Sequence, residues 1–185
     1  MKLPIVRYGH PVLRERGKPI TKVDDRIREL AANMLETMHE ARGVGLAAQQ
    51  VGEALQLTVI DVSDAEDQES TMRLNGAEAE PRSSMPLVLL NPEISLGKET
   101  VLGVEGCLSF PEITGDIRRA VSVGLRAETL EGKWVEIEAA GLLARAMQHE
   151  LDHLNGILFI DRMSAATKVA LRSRLKRMQE ENAPR

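Results

Sequence analysis

The stretch MQHELDHLNG, residues 147–156, places His149, Glu150 and His153 in the spacing H-E-x-x-H, in a chain with only four histidines. On a helix, residues four apart stack on one face, so both imidazoles can be directed at a single ion while Glu150 handles a water held there. With this composition the pattern arises by accident on the order of once in a hundred sequences. A lone histidine on a helix is more often packed or solvated than a ligand. Two histidines do not complete a site. The extended zinc-protease pattern requires a third histidine at position 159; Gly156 agrees with it, but position 159 holds Phe159. The remaining soft donor is Cys107, in VEGCLSFP. Taken alone, a cysteine is more often a small buried apolar residue than a ligand. Here it lies between Gly106 and a turn-prone Ser-Phe-Pro, where backbone can approach a site closely, and it is the chain's one thiol. A Cys107/His149/His153 set leaves one position for water, which marks a catalytic rather than a closed structural site. On ligand chemistry alone zinc is the default ion. His10, before a proline in an N-terminal turn, and His39, on the polar side of a helix, have ordinary structural readings.

These donors need a frame. Ile27, Leu30, Ala31, Met34, Leu35 and Met38 recur at helical spacing across residues 24–41, with Asp24 or Asp25 to cap the start and Gly43 to stop it. The glycine-marked GVGLAAQQVG follows, then LQLTVIDV (55–62) as a strand. Residues 63–85 are polar, turn-rich and aperiodic, and read as a surface loop insertion. Short strands are expected at 87–90 and 99–104. A hairpin follows, with Val121, Val123 and Leu125 alternating on one arm, Val135 and Ile137 on the other, and Glu131-Gly132 near the turn. Gly141 opens a helix running through Asn155 and closed by Gly156. A last helix spans roughly 164–180. The expected fold is a single α+β domain over residues 1–185, with mainly antiparallel short-stranded sheets around a central metal-binding helix and helices at both ends.

The chain has 185 residues, 43% of them apolar, enough for one hydrophobic core, but only 2% are aromatic, so aliphatic side chains must build it. A net charge of −4 argues against a general nucleic-acid binder. A single cysteine excludes an internal disulfide framework and fits a reducing compartment. The opening MKLPIVRYGHPVLRERG is broken by Pro4, Arg7, Pro11 and Arg14 and does not read as a signal peptide. No apolar run approaches the ~18 residues of a membrane helix. The reading is a cytoplasmic protein, a mature organellar form being the other option.

Three stretches, in order, resemble the peptide deformylase family: GVGLAAQQ (43–50), EGCLS (105–109) and QHELDH (148–153). The likeness extends from YGHPVLR to GILFIDRMS, nearly the whole chain. It implies hydrolysis of the formyl group from the N-terminal formylmethionine of nascent chains, releasing formate. It further implies Cys107, His149 and His153 as metal ligands and Glu150 as general acid and base. Gln50 and the Leu108 N–H are the implied donors to the developing oxyanion. The implied ion is ferrous iron, replaceable by zinc, nickel or cobalt. Some relatives carry an arginine a few residues after EGCLS; here Thr114 stands near that position, in EITGD.

Leu142 and Ala146 lie seven and three residues before His149 and share its helix face, so beside a metal they would line an apolar slot, with Val44 and Gly45 opposite. Ordinary core packing is the alternative for these positions. The methionine side chain fits such a slot, and Gly45 and Gly106 leave room for a peptide to pair with neighbouring backbone as an added strand. In SAATKVALRSRLKRM (164–178), Leu171, Leu175 and Met178 form one face, while Lys168, Arg172, Arg174, Lys176 and Arg177 face outward with no acidic residue among them. Family relatives dock on the ribosome through a C-terminal helix, so this basic helix is expected to bind there; a solvated surface helix is the plainer reading. The competing functions are a zinc endopeptidase on the same helix and a non-enzymatic protein with a structural zinc.

Overall fold

The structure is a computed structural model describing residues 1–65 and 67–184. Helix α1 (Asp25–Glu40) starts where the Asp24 side chain accepts a hydrogen bond from the Ile27 N–H, 3.0 Å away. Its buried stripe of Ile27, Leu30, Ala31, Met34 and Met38 is the one expected from spacing. That stripe packs on Leu46, Leu57, Val59 and Leu90 of strands β1 (Gly45–Ala47), β2 (Leu57–Ile60) and β5 (Leu87–Leu96). The opposite face of the same sheet packs on helix α2 (Leu142–Leu154) through Ile60, Leu89, Leu125 and Ile137. Strand β2 is therefore buried on both faces, which is why LTVI shows no apolar–charged alternation, its one polar side chain, Thr58, donating to the Leu46 carbonyl at 3.0 Å.

Seven antiparallel strands form the main sheet, in the order β1-β2-β5-β8-β9-β3-β4. Here β3 is Ser70–Leu74, β4 Ala77–Ala79, β8 Ser122–Glu128 and β9 Trp134–Gly141. The hairpin expected at 120–139 is β8–β9: Val123, Leu125 and Ala127 point inward opposite Ile137 and Ala139, while Val121 lies just before the strand and is 37% exposed. A separate two-stranded sheet holds β6 (Thr100–Cys107) and β7 (Phe110–Ala120). Helix α3 (Ala165–Asn182), capped by Ser164, lays Leu171, Leu175 and Met178 on a third cluster that includes Phe110, Ile113, Ile117 and Phe159. The α+β expectation holds.

Two expectations need correction. Residues 63–85 are not a structureless loop: β3 and β4 form a hairpin whose first strand extends the main sheet by pairing with β9. Only Met72 of β3 is buried, so the strand has almost no apolar signature. Its turn, Asn75-Gly76, has φ of 50° and 82° and is of the kind that reverses a tight hairpin. The strand expected at 99–104 runs on to Cys107 as β6, and β7 lies outside every expected strand, its sequence pattern broken by Pro111 and Gly115.

Candidate metal centre

Among the described residues, Cys107, His149 and His153 form the one group of three His, Cys, Asp or Glu donors able to hold a metal ion; their donor atoms lie within 4.8 Å of one another. His149 and His153 come from successive turns of α2, with ring centroids 5.0 Å apart, and are 8% and 1% exposed. Cys107 arrives from the end of β6, its Sγ 3.3 Å from His153 Nε2. His10 and His39 stand apart, as expected: His10 accepts from the Val12 N–H at the start of a 3-10 turn, and His39 Nε2 meets Asp61 at 2.8 Å. Phe159, at the position where a third histidine would sit, is core: its ring lies 5.1 Å from that of Phe110 and 5.9 Å from that of His149.

Helix and hairpin are stitched together by polar side chains at a regular interval. Arg145, Gln148, His149 and Asp152, spaced three, four and seven along α2, all bond to the β6–β7 hairpin. Gln148 exchanges two hydrogen bonds with the Ala120 backbone, at 2.9 and 3.0 Å. Arg119 reaches Glu105 through Nε and Nη2 at 2.8 and 3.0 Å and Asp152 through Nη1 at 2.5 Å. Arg162 donates to both Asp152 oxygens, sharing Oδ2 with Arg119. Glu105 Oε2 lies 2.9 Å from His149 Nδ1, which commits that nitrogen and leaves Nε2 for the centre. Burial alone would raise the Glu105 carboxyl, but His149 and Arg119 outweigh it and hold it down at about 2. Glu105 belongs to a motif already singled out, yet its orienting role was missed; the sequence offered only a carboxylate two residues before a ligand cysteine, with nothing to link it to His149. Arg119 and Asp152 offered no signal.

Glu150 is 4% exposed, and its Oε2 has no hydrogen-bond partner. Burial pushes its carboxyl up to about 7. It borders a cleft of about 520 Å³ that also receives Gln50, Gly106, Cys107, Leu108 and His149. Val44, Gly45, Leu142 and Ala146 line the same space, so every residue assigned to the slot from spacing reaches it, although Ala146 also belongs to the sheet core. The Gln50 side-chain carbonyl accepts from the Ala47 N–H at 2.9 Å, turning its amide toward Ser109 Oγ at 3.2 Å and Cys107 Sγ at 3.5 Å. Leu108 packs against Gly43, where a Cβ would lie 2.8 Å from its Cδ1. At Gly106, by contrast, a Cβ would make only ordinary contacts with Thr114, so the protein's own packing does not require glycine there. A larger depression, about 850 Å³ along β3, β4 and β9, holds none of the three donors.

Residues 2–169 match the family model for polypeptide deformylase. The chain belongs to that family. The peptide deformylase of Opitutus terrae is 47% identical over 95% of this chain and 92% of its own length. That of Methylacidiphilum infernorum is 45% identical over 99% and 96%. Among solved structures, the deformylase of Thermus thermophilus superposes with a TM-score of 0.83 at 36% identity, covering 98% of this chain and 99% of that one. The Thermotoga maritima enzyme superposes with a TM-score of 0.76 at 40% identity, covering 89% and 99%. The matched family region stops within α3, so most of that helix lies beyond it. No helix among the described residues is long and apolar enough to cross a membrane.

Proposed function

We propose that the chain is a metal-dependent hydrolase that removes the N-formyl group from the formylmethionine of nascent polypeptides. The observation that carries this reading is Glu150: a buried carboxylate with an unpartnered oxygen, in a cleft beside three convergent metal donors, in a member of this family. The donors fit an ion well. One sulfur and two imidazole nitrogens come from rigid elements, the His149 ring is oriented by Glu105, and the cleft opens on the same side. A divalent ion held there supplies Lewis acidity and lowers the pKa of water toward neutrality.

The chain's own groups do the rest. Glu150 accepts a proton at its free carboxylate oxygen as water attacks the formyl carbon, then returns it to the departing amine. A carboxyl titrating near neutrality suits both duties. The Gln50 amide and the Leu108 N–H donate to the oxyanion, each such donor contributing ~3 kcal/mol. Leu142, Ala146 and Val44 receive the methionine side chain. Gly45 and Gly106 let the peptide backbone approach, and the freedom from steric need at Gly106 supports that reading. The working ion is ferrous iron on family resemblance; zinc, nickel and cobalt suit the same donors. Anaerobic purification with metal analysis tests this, and full activity on zinc with no gain from ferrous iron refutes it. The setting is the cytoplasm, at the ribosome, where formylated chains emerge. Formate release from formyl-Met-Ala-Ser tests the function directly. Cleavage of unformylated casein without formate release would replace it with an endopeptidase.

A further inference from the structure

Arg145 plays no part in the chemistry above, yet it is only 15% exposed and makes more hairpin contacts than any other side chain of α2. Its Nη1 donates to Glu105 Oε1 and to the Ile117 carbonyl, both at 2.9 Å, and to the Gly103 carbonyl at 3.5 Å. Its Nη2 donates to the Val101 carbonyl at 3.1 Å. The guanidinium lies against Gly103 so closely that a Cβ there would fall 2.9 Å from Nη2. This matters because, among the described residues, no strand ladder ties β6–β7 to the main sheet. The other stitches run to Ala120 and Arg119 of β7, which pair with Thr100 and Val101, and to Glu105 of β6. Arg145 alone reaches Val101 and Gly103, and it borders the cleft beside Ala146 and Val104.

We propose that Arg145 is a positioning residue that locks the β6–β7 hairpin onto α2, setting both the approach of Cys107 to the two histidines and the width of the slot beside Ala146. The slot half of this statement rests on the deformylase reading; the metal half does not. A planar fork with several donors suits the task, since it spans two strands and a carboxylate at once. Without it, Glu105 keeps Arg119 and His149, but Val101 and Gly103 lose their direct bonds to the helix and are held only through their pairing with β7.

Arg145→Met preserves length and apolar volume, and Arg145→Lys preserves charge without the fork. Metal-free protein is titrated with Co²⁺, following thiolate-to-cobalt absorption. Steady-state constants are measured on formyl-Met-Ala-Ser and on its formyl-Phe counterpart. In Arg145→Met, Co²⁺ affinity should fall about tenfold or more, as for other partners of metal ligands. KM for the formyl-Met peptide should rise several-fold with a smaller change in kcat, and the preference over formyl-Phe should narrow. Arg145→Lys should fall between that variant and the unaltered protein. A lowered melting temperature with unaltered Co²⁺ affinity and KM would make Arg145 a general brace and overturn the proposal. Should Arg145→Met fail to fold, the Lys variant decides alone, and unaltered values for both quantities overturn it. Absence of formate release by the unaltered protein would overturn the deformylase reading instead, while the Co²⁺ titration still decides about Arg145.

Discussion

The Glu150 carboxylate rests directly against the backbone of Gly45: a methyl group built there would fall 2.8 Å from both Cγ and Cδ of the glutamate and closer still to Oε1. Gly45 is a buried residue of β1 with ordinary backbone angles, so its glycine identity is a matter of space and not of conformation. The strand acts as a flat wall that fixes where the carboxylate stands. Gly45→Ala should therefore leave a folded, metal-binding protein whose kcat on formyl-Met-Ala-Ser falls about 100-fold, since a displacement of about 1 Å at a reacting group costs that much. Glu150→Ala, which should retain metal and lose nearly all turnover, marks the floor. Unaltered kcat in Gly45→Ala would show that the carboxylate has room to yield.

Glu105→Gln removes the charge from a carboxylate that serves His149, Arg119 and Arg145 together. Breaking a buried ion pair from one side costs roughly 3–5 kcal/mol, because the partner charge stays buried. The variant should melt well below the parent and bind Co²⁺ about 10–100-fold more weakly. Calorimetry and metal titration on one preparation check both effects, and a change confined to one of them would separate support of the fold from orientation of the ligand.

Asp161 ties the N-terminal segment to the stretch after α2, accepting from both terminal guanidinium nitrogens of Arg14 and from the Leu158 N–H at 2.9 Å. Burial alone would raise its carboxyl, but those bonds outweigh it and hold it below the ordinary carboxylate value of 3.8. A group depressed in the folded state stabilises fully above its unfolded pKa and loses that contribution as pH falls through the folded one. The gap in melting temperature between the parent and Asp161→Asn should thus be constant at neutral and mildly acidic pH and close below about pH 4. The gap should be small, because both side chains are more than a third exposed. A gap that persists at pH 2.5 would assign it to something other than charge.

The basic helix is the place to look for ribosome binding. Lys168, Arg172, Arg174, Lys176 and Arg177 are all exposed, and Arg172 and Arg177 form no ion pair among the described residues. Removing everything after Met163 would uncover the cluster that Leu171, Leu175 and Met178 shield, so reversing the five charges is the cleaner variant. It should keep activity on short formyl peptides and lose salt-sensitive co-sedimentation with ribosomes. Undiminished pelleting at low salt would leave α3 as an ordinary surface helix.

The parts legible beforehand were those whose cause is local. Three donors were found because two lie one helical turn apart and the third is the only thiol, and α1 because its apolar stripe repeats every three to four residues. The clamp around His149 was not legible, because Glu105, Arg119, Asp152 and Arg162 meet only after β6, β7 and α2 come together; no spacing rule links 105 to 119 or 152. Arg119, in GDIRRA, looks like any surface charge until its burial is seen. β3 escaped for the opposite reason, having one buried residue in five, although Asn75-Gly76 was a usable turn signal. Gly45 was read as leaving room for a peptide because it lacks a side chain; the carboxylate packed against it gives a further reason for glycine that only packing discloses.

The seven-stranded sheet ends on a three-residue strand at each side, β1 and β4. An unpaired edge is a template for any extended chain, and proteins that leave long ones open tend to aggregate through them. A protein whose proposed substrates are unfolded chains is surrounded by such partners. Three residues can hold the first stretch of a passing peptide, but they offer too few backbone bonds to seed a growing stack. The brevity of both edges thus leaves the main sheet little backbone on which sticky, unfinished chains could stack.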